Sequence, residues 1–199
     1  MTRRRTASPR KGDLRESAIL DAAERLLSSL GYDAMTIADI AEAAGITRGA
    51  LYFYFGSKQE VVTELFARTI LVLHEKSRAA AEDAASGPQA IETAMRRTEE
   101  LWRDHGVVMR TAIDLAATIP ELDRLWNETA DIFIAAITAV LERMDVPAGD
   151  GPHESSAIAT ALCWMTERNF YQASRVSPAA LTRARETCTE IWRRAARTD

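Results

Sequence analysis

The side chains best suited to catalysis in this chain are not arranged for it. His74, His105 and His153 are dispersed, and none belongs to an HExxH or other paired-ligand spacing. Asp104 beside His105, and Glu154 beside His153, are neighbours along the chain, which fixes no catalytic geometry. Cys163 and Glu167 lie four apart, yet no local base or glycine-rich phosphate loop accompanies them. Cys163 and Cys188 have neither metal-ligand spacing nor a secreted-framework pattern, which reads as reduced packing residues. The expectation is no catalytic residue, no metal site and no cofactor. A different chemistry is concentrated in "GITRGALYFYF" at residues 45–55. Here Arg48 is followed by four consecutive aromatics, Tyr52, Phe53, Tyr54 and Phe55. A helix cannot bury all four, because successive side chains point about 100° apart. Some rings must face outward, toward a partner.

The flanking sequence supplies two short helices to hold this segment. Thr36 is an N-cap with Asp39 three positions on, ahead of the apolar face Ile37, Ile40, Ala41 and Ala44. Gly45 ends that helix and Thr47 restarts one, which is the helix-turn-helix arrangement. Leu51 and Phe55 share a face and can pack on Ile40, Ala44 and Ile46. Tyr52, Phe53 and Tyr54 then spread over the exposed arc. Gly49 and Ala50 are small enough to admit another surface, and Arg48 projects from the same end, where a major groove would be read. Ser57 and Glu60 form a capping box for the next helix, where Lys58 and free amides could hold a phosphate. Spacing alone leaves open a plain packing motif or a protein-protein patch.

Charge by region bears on that choice. The net charge of −4 conceals +5 over residues 1–12, from Arg3, Arg4, Arg5, Arg10 and Lys11. Residues 13–60 carry −4 and residues 61–199 carry −5. A basic arm can follow a minor groove beside a recognition helix although the chain as a whole is acidic; a solvating tail is the other reading. The arm lacks the apolar middle of a secretory signal, and no apolar stretch approaches the roughly 20 residues that span a bilayer. A cytoplasmic protein without membrane contact is expected.

Helical spacing dominates from residue 13 onward. Leu14, Ala18, Ala22, Leu26, Leu27 and Leu30 make a first stripe, stopped by Gly31. Pro88, Pro120 and Pro178 sit at helix starts, and "HGVV" at 105–108 reads as a break. The sum is an all-α protein of about nine helices. Its expected organisation is a basic flexible arm (1–12), a three-helix DNA-binding domain (13–58), and a larger effector-binding and dimerisation domain (59–199).

The stretch from Glu16 to Phe66 resembles the N-terminal domain of the TetR family of bacterial transcriptional repressors. The resemblance rests on the "AA" helix, the Gly-Tyr stop, "T-I-x-x-I-A-x-A-A-G-I", "L-Y-x-Y-F" and "S-K-x-x-V". It implies a homodimer on a palindromic double-stranded DNA operator, with a divergent C-terminal domain for a small-molecule effector. It implies phosphate contacts for Thr36, Tyr52, Tyr54 and Lys58, and base reading by Arg48 with Thr47, Gly49 and Ala50 on the same helix end. Phe53 would touch a sugar, a thymine methyl or nothing.

Residues beyond this module mix large apolar groups with few polar ones, as a ligand pocket or a bundle core would. Trp102, Met109, Trp126, Phe133, Met165, Thr166, Asn169 and Phe170 are the candidate pocket walls. "ATALCWMTERNFYQAS" and "ELDRLWNETA" resemble the branch of the family that represses ethionamide activation. Trp126 matches a pocket tryptophan there, whereas Cys163 and Thr166 stand where that branch has asparagines, so its ligand is not carried over. Stripes of Leu181, Ala184, Cys188, Ile191 and Ala195, and of Ile158, Leu162 and Met165, suit a four-helix dimer interface through the last two helices; they suit the subunit's own core equally. A non-regulatory nucleoid binder is the rival among DNA-binding readings, and would discriminate weakly between sequences.

Overall fold

In the computed structural model, residues 11–83 and 86–196 are described, and all the regular structure among them is helical. Eight helices follow one another: α1 (Lys11–Ala34), α2 (Ile37–Ala43), α3 (Arg48–Tyr54), α4 (Lys58–Asp83), α5 (Gly87–Ala116), α6 (Pro120–Glu142), α7 (Ser155–Ser174) and α8 (Pro178–Ala195). The chain divides into two compact units between Leu65 and Phe66, inside α4 and past the boundary expected at residue 58.

Local sequence explains the first unit closely. Thr36 and Asp39 close a reciprocal capping box at α2: Asp39 N–H donates to Thr36 Oγ1 (3.2 Å) and Thr36 N–H to Asp39 Oδ2 (2.8 Å). Helix α2 ends in a Schellman turn, in which Ile46 N–H reaches Ala41 O (2.9 Å) and Gly45 N–H reaches Glu42 O (3.0 Å). Gly45 has φ 67°, a left-handed value that a side chain would strain, which is why glycine separates α2 from α3. Thr47 caps α3 by accepting from Ala50 N–H (3.1 Å). Ser57 caps α4 by accepting from Glu60 N–H (3.1 Å), while the Glu60 carboxylate accepts from Gly56 N–H instead of closing the expected box on Ser57. In α1 the stripe is displaced from the expected one. Ile19, Leu20, Ala22, Ala23 and Leu27 are buried, whereas Leu14 and Leu30 are exposed. Helix α1 also continues past Gly31, kinked where that residue takes φ 77°.

The second unit packs α5 against α6, α7 and α8, and α7 against α6 and α8. Pro88, Pro120 and Pro178 all stand in first turns, and Ser86 and Ser177 cap α5 and α8. The break expected at "HGVV" is a bend. His105 takes φ −123°, ψ 21° and the helix resumes, so eight helices replace the expected nine among the described residues. Val108, Met109 and Ala112 beyond the bend are buried, and their packing outweighs the roughly 1 kcal/mol that Gly106 costs a helix.

Candidate functional site

Helix α3 has two faces of opposite character. Leu51 and Phe55 are buried and hold the helix down. Thr47, Arg48, Gly49 and Ala50 are exposed, Tyr52 is 49% exposed, Phe53 is 84% exposed, and Tyr54 is half-buried. Phe53 and Tyr54 meet edge to face, with ring centroids 5.4 Å apart. No described residue pairs with the Arg48 guanidinium. The arrangement presents a cation, hydroxyls and aromatic edges on a narrow rod with small residues at its leading end. Arg3, Arg4 and Arg5, expected to follow a minor groove, lie outside the described residues.

Two expected phosphate contacts are engaged internally. Thr36 Oγ1 donates to Asp39 Oδ2 (2.7 Å), and these bonds hold the Asp39 carboxyl below its ordinary range. Lys58 Nζ donates to Tyr32 O (2.8 Å) and Met35 O (3.0 Å), and sits 4.1 Å from the centroid of the Tyr32 ring. An ammonium has three donors, so one remains for a phosphate oxygen. Lys58 is thus first a clasp between the end of α1 and the start of α4. Lys58→Met should lower stability by about 1–3 kcal/mol, the scale of lost charge-assisted bonds. Chemical denaturation measures this; an unshifted midpoint would mean the clasp holds nothing.

The second unit encloses a cavity of about 190 Å³ whose wall is almost wholly apolar. Trp102, Met109, Trp126, Phe133 and Thr166 line it, together with Trp164 and Trp192, so all four tryptophans of the chain meet there. Trp126 stacks on Phe66 (5.3 Å, 29°), and Trp102 meets Tyr171 edge-on (6.5 Å, 89°). Trp192 Nε1–H donates to Thr166 Oγ1 across α8 and α7 (2.9 Å). Three residues expected in the wall lie elsewhere. Phe170 is wholly buried in the helix packing, Asn169 is exposed and donates to Met165 O, and Met165 is half-buried outside the cavity. Arg97, Cys163 and Glu167 line the cavity instead. Burial, then the nearby Glu167 carboxylate, pushes the Cys163 thiol up to about 11, so it is a packed thiol and not a nucleophile at neutral pH. Among the described residues no helix is long and apolar enough to cross a membrane, and no cluster of His, Cys, Asp or Glu could hold a metal ion.

Comparison with known proteins agrees with both halves of this geometry. Residues 19–65 match the bacterial regulatory proteins of the tetR family, and residues 89–196 match the C-terminal domain of the transcriptional regulator EthR. The chain belongs to the TetR family. This TetR-family protein is 32% identical to the HTH-type transcriptional regulator EthR of Mycobacterium tuberculosis H37Rv over 194 residues, covering 95% of this chain and 89% of that one. Identity to EthR of Mycolicibacterium smegmatis is also 32%, over 197 residues, covering 95% and 88%. The TetR-family regulator PfmR from Thermus thermophilus superposes with a TM-score of 0.70 at 23% identity, covering 88% of this chain and 97% of that one. The fold is therefore a TetR-type helix-turn-helix domain followed by an EthR-like helical domain. The protein is a DNA-binding transcriptional regulator, from a family that is not enzymatic.

Proposed function

We propose that this regulator is a homodimeric repressor of a palindromic operator, released when a small, largely apolar effector occupies the cavity of its second unit. The observation carrying this reading is the division of α3 into an anchored face, Leu51 and Phe55, and an exposed face running from Thr47 to Tyr54. Two such helices roughly 34–36 Å apart in a two-fold dimer would enter successive major grooves. Thr47 keeps its hydroxyl hydrogen available while its oxygen serves the cap, and Tyr52 and Tyr54 offer phenols to the backbone. Phe53 is free to touch a sugar or a thymine methyl.

The dimer face on α7 and α8 differs from the expected stripes. Leu162, Leu181 and Cys188 are buried within the subunit, whereas Trp164 and Ile191 are each 38% exposed. Trp164 and Ile191, with half-buried Ala195 beside them, are the apolar surface left for a second copy. An effector acts only if it binds the DNA-free state better than the DNA-bound one.

Fluorescence anisotropy on an operator duplex tests the reading: an effector that fills the cavity should release the protein, and unchanged operator affinity would defeat the effector model. Arg48→Ala should cost about 1–3 kcal/mol at one operator position and relax base preference there. Competition between single-base operator variants measures that; unaltered selectivity would remove Arg48 from the reading set. A nucleoid binder would hold random duplex as tightly as the palindrome at physiological salt.

A further inference from the structure

Two charged side chains interrupt the apolar wall of the cavity. Arg97 comes from α5 and Glu167 from α7. Arg97 Nη1 and Glu167 Oε1 are both shut off from water, and neither has a hydrogen-bond partner in the protein. No ion pair joins the two residues, so they do not satisfy each other. A guanidinium keeps its charge, and a buried donor without an acceptor costs about 1–3 kcal/mol or more. A buried carboxylate oxygen without a donor is penalised in the same way. Burial accordingly raises the Glu167 carboxyl, against the opposing charge of Arg168. Most such groups in native proteins are paired, and two exceptions on the wall of one cavity call for a common explanation.

Resting on the reading of this cavity as an effector chamber, we propose that its ligand is an apolar molecule bearing a carboxamide or equivalent group, whose acceptor is taken by Arg97 and whose donor is taken by Glu167. The two orphaned atoms are of opposite sense, one a donor and one an acceptor. A ligand group that carries both a C=O and an N–H complements the pair. An ester supplies an acceptor alone, an alkylammonium a donor alone, and a hydrocarbon neither. Specificity then follows the rule that a site built from buried polar groups rejects analogues that leave them unpaired, while an apolar wall discriminates weakly between similar hydrocarbons. The tryptophans supply most of the contact area and the two charged residues select the head.

The test uses the intact protein and its own tryptophan fluorescence, since all four indoles border the cavity. Decanamide, methyl decanoate, decylamine and decane are titrated against the wild type, Arg97→Met and Glu167→Met. Decanamide should bind the wild type at least about 10-fold more tightly than the other three, the scale of one hydrogen bond to a charged group. Arg97→Met should lose that factor for decanamide and leave decylamine unchanged. Glu167→Met should lose it for decanamide and leave methyl decanoate unchanged. Both substitutions replace an unsatisfied polar group by apolar atoms, so melting temperatures should hold or rise, which separates lost recognition from lost folding. Binding in order of apolarity alone, indifferent to both substitutions, overturns the proposal, and so does absence of binding by all four. Anisotropy with operator DNA run in parallel keeps the two readings distinct. The predicted binding pattern without DNA release would sink the effector mechanism and leave the ligand chemistry standing.

Discussion

Leu51→Ala should abolish operator binding while the cavity still takes up ligand. Helix α3 has seven residues, far fewer than the roughly 12–15 at which an isolated helix becomes even marginal in water. Its existence depends on tertiary anchoring, and Leu51, with no exposed surface, is its central anchor. Removing three buried carbons leaves a cavity and costs about 2–5 kcal/mol. A unit of this size has a total stability of only about 3–8 kcal/mol, so a large part of the reserve disappears. The unit's melting midpoint should fall by about 10 °C or more. Amide hydrogen exchange resolves the effect by segment: amides of α2 and α3 should exchange faster, while those of α5, α7 and α8 keep their protection. Equal loss of protection in the second unit would mean that the two units unfold as one body.

The anchored face of α3 was legible in the sequence because its cause is local. Leu51 and Phe55 share a face by the arithmetic of the helix, Gly45 must end α2, and Thr36 and Thr47 cap within three residues of themselves. Capping by Ser86 and Ser177 and the placement of Pro88, Pro120 and Pro178 are signals of the same short range. Misreadings arose where distant packing decided. "HGVV" reads as a break because glycine disfavours helix, yet Gly106 is buried, and Arg110 one turn on donates to Ser174 O and Oγ of α7 (both 3.1 Å). That contact lies 64 residues away in sequence, and no window along the chain contains it.

The cavity wall illustrates the same limit. Periodicity identifies which residues share a helix face but not which neighbouring helix that face meets. Phe170 and Trp164 are both large and apolar on α7, yet one is core and the other borders the cavity. A usable signal existed for the charged members. Arg97 falls three after Ala94 and four before Leu101, and Glu167 falls four after Cys163 and three before Phe170, so each places a charge on an apolar stripe. A charge in that position must be paired, exposed at its tip or functional. The apparent dimer stripes failed for a related reason. Leu181 and Cys188 are periodic because α8 packs on its own subunit, and self-packing and partner-packing look alike from one chain.

Glu99→Gln should lower the stability of the second unit by about 1–3 kcal/mol near neutral pH, and the loss should vanish in acid. Glu99 is buried on α5 and ties it to α8. Its Oε1 accepts from Thr182 Oγ1 (2.7 Å) and from Arg103, and its Oε2 accepts from Arg185 Nε (2.6 Å). Burial pushes the carboxyl up, but the bonds from Thr182, Arg185 and Arg103 together outweigh it and hold the group below its ordinary value. A depressed folded-state value means that the ionised carboxylate stabilises the fold above the unfolded-state pKa of about 4.3. That contribution is lost as the pH falls through the lower, folded value. Wild type and Glu99→Gln should therefore unfold at clearly different denaturant concentrations at pH 7 and converge as the medium is acidified below about pH 4. The isosteric amide keeps its size and one acceptor, so steric damage cannot mimic the effect. Leaving Arg185 without its carboxylate is the main cost, limited because that guanidinium retains some access to water. A gap between the two proteins that stayed constant across the whole pH range would place the effect in packing and remove the α5–α8 ion pairs from the forces that shape the cavity wall.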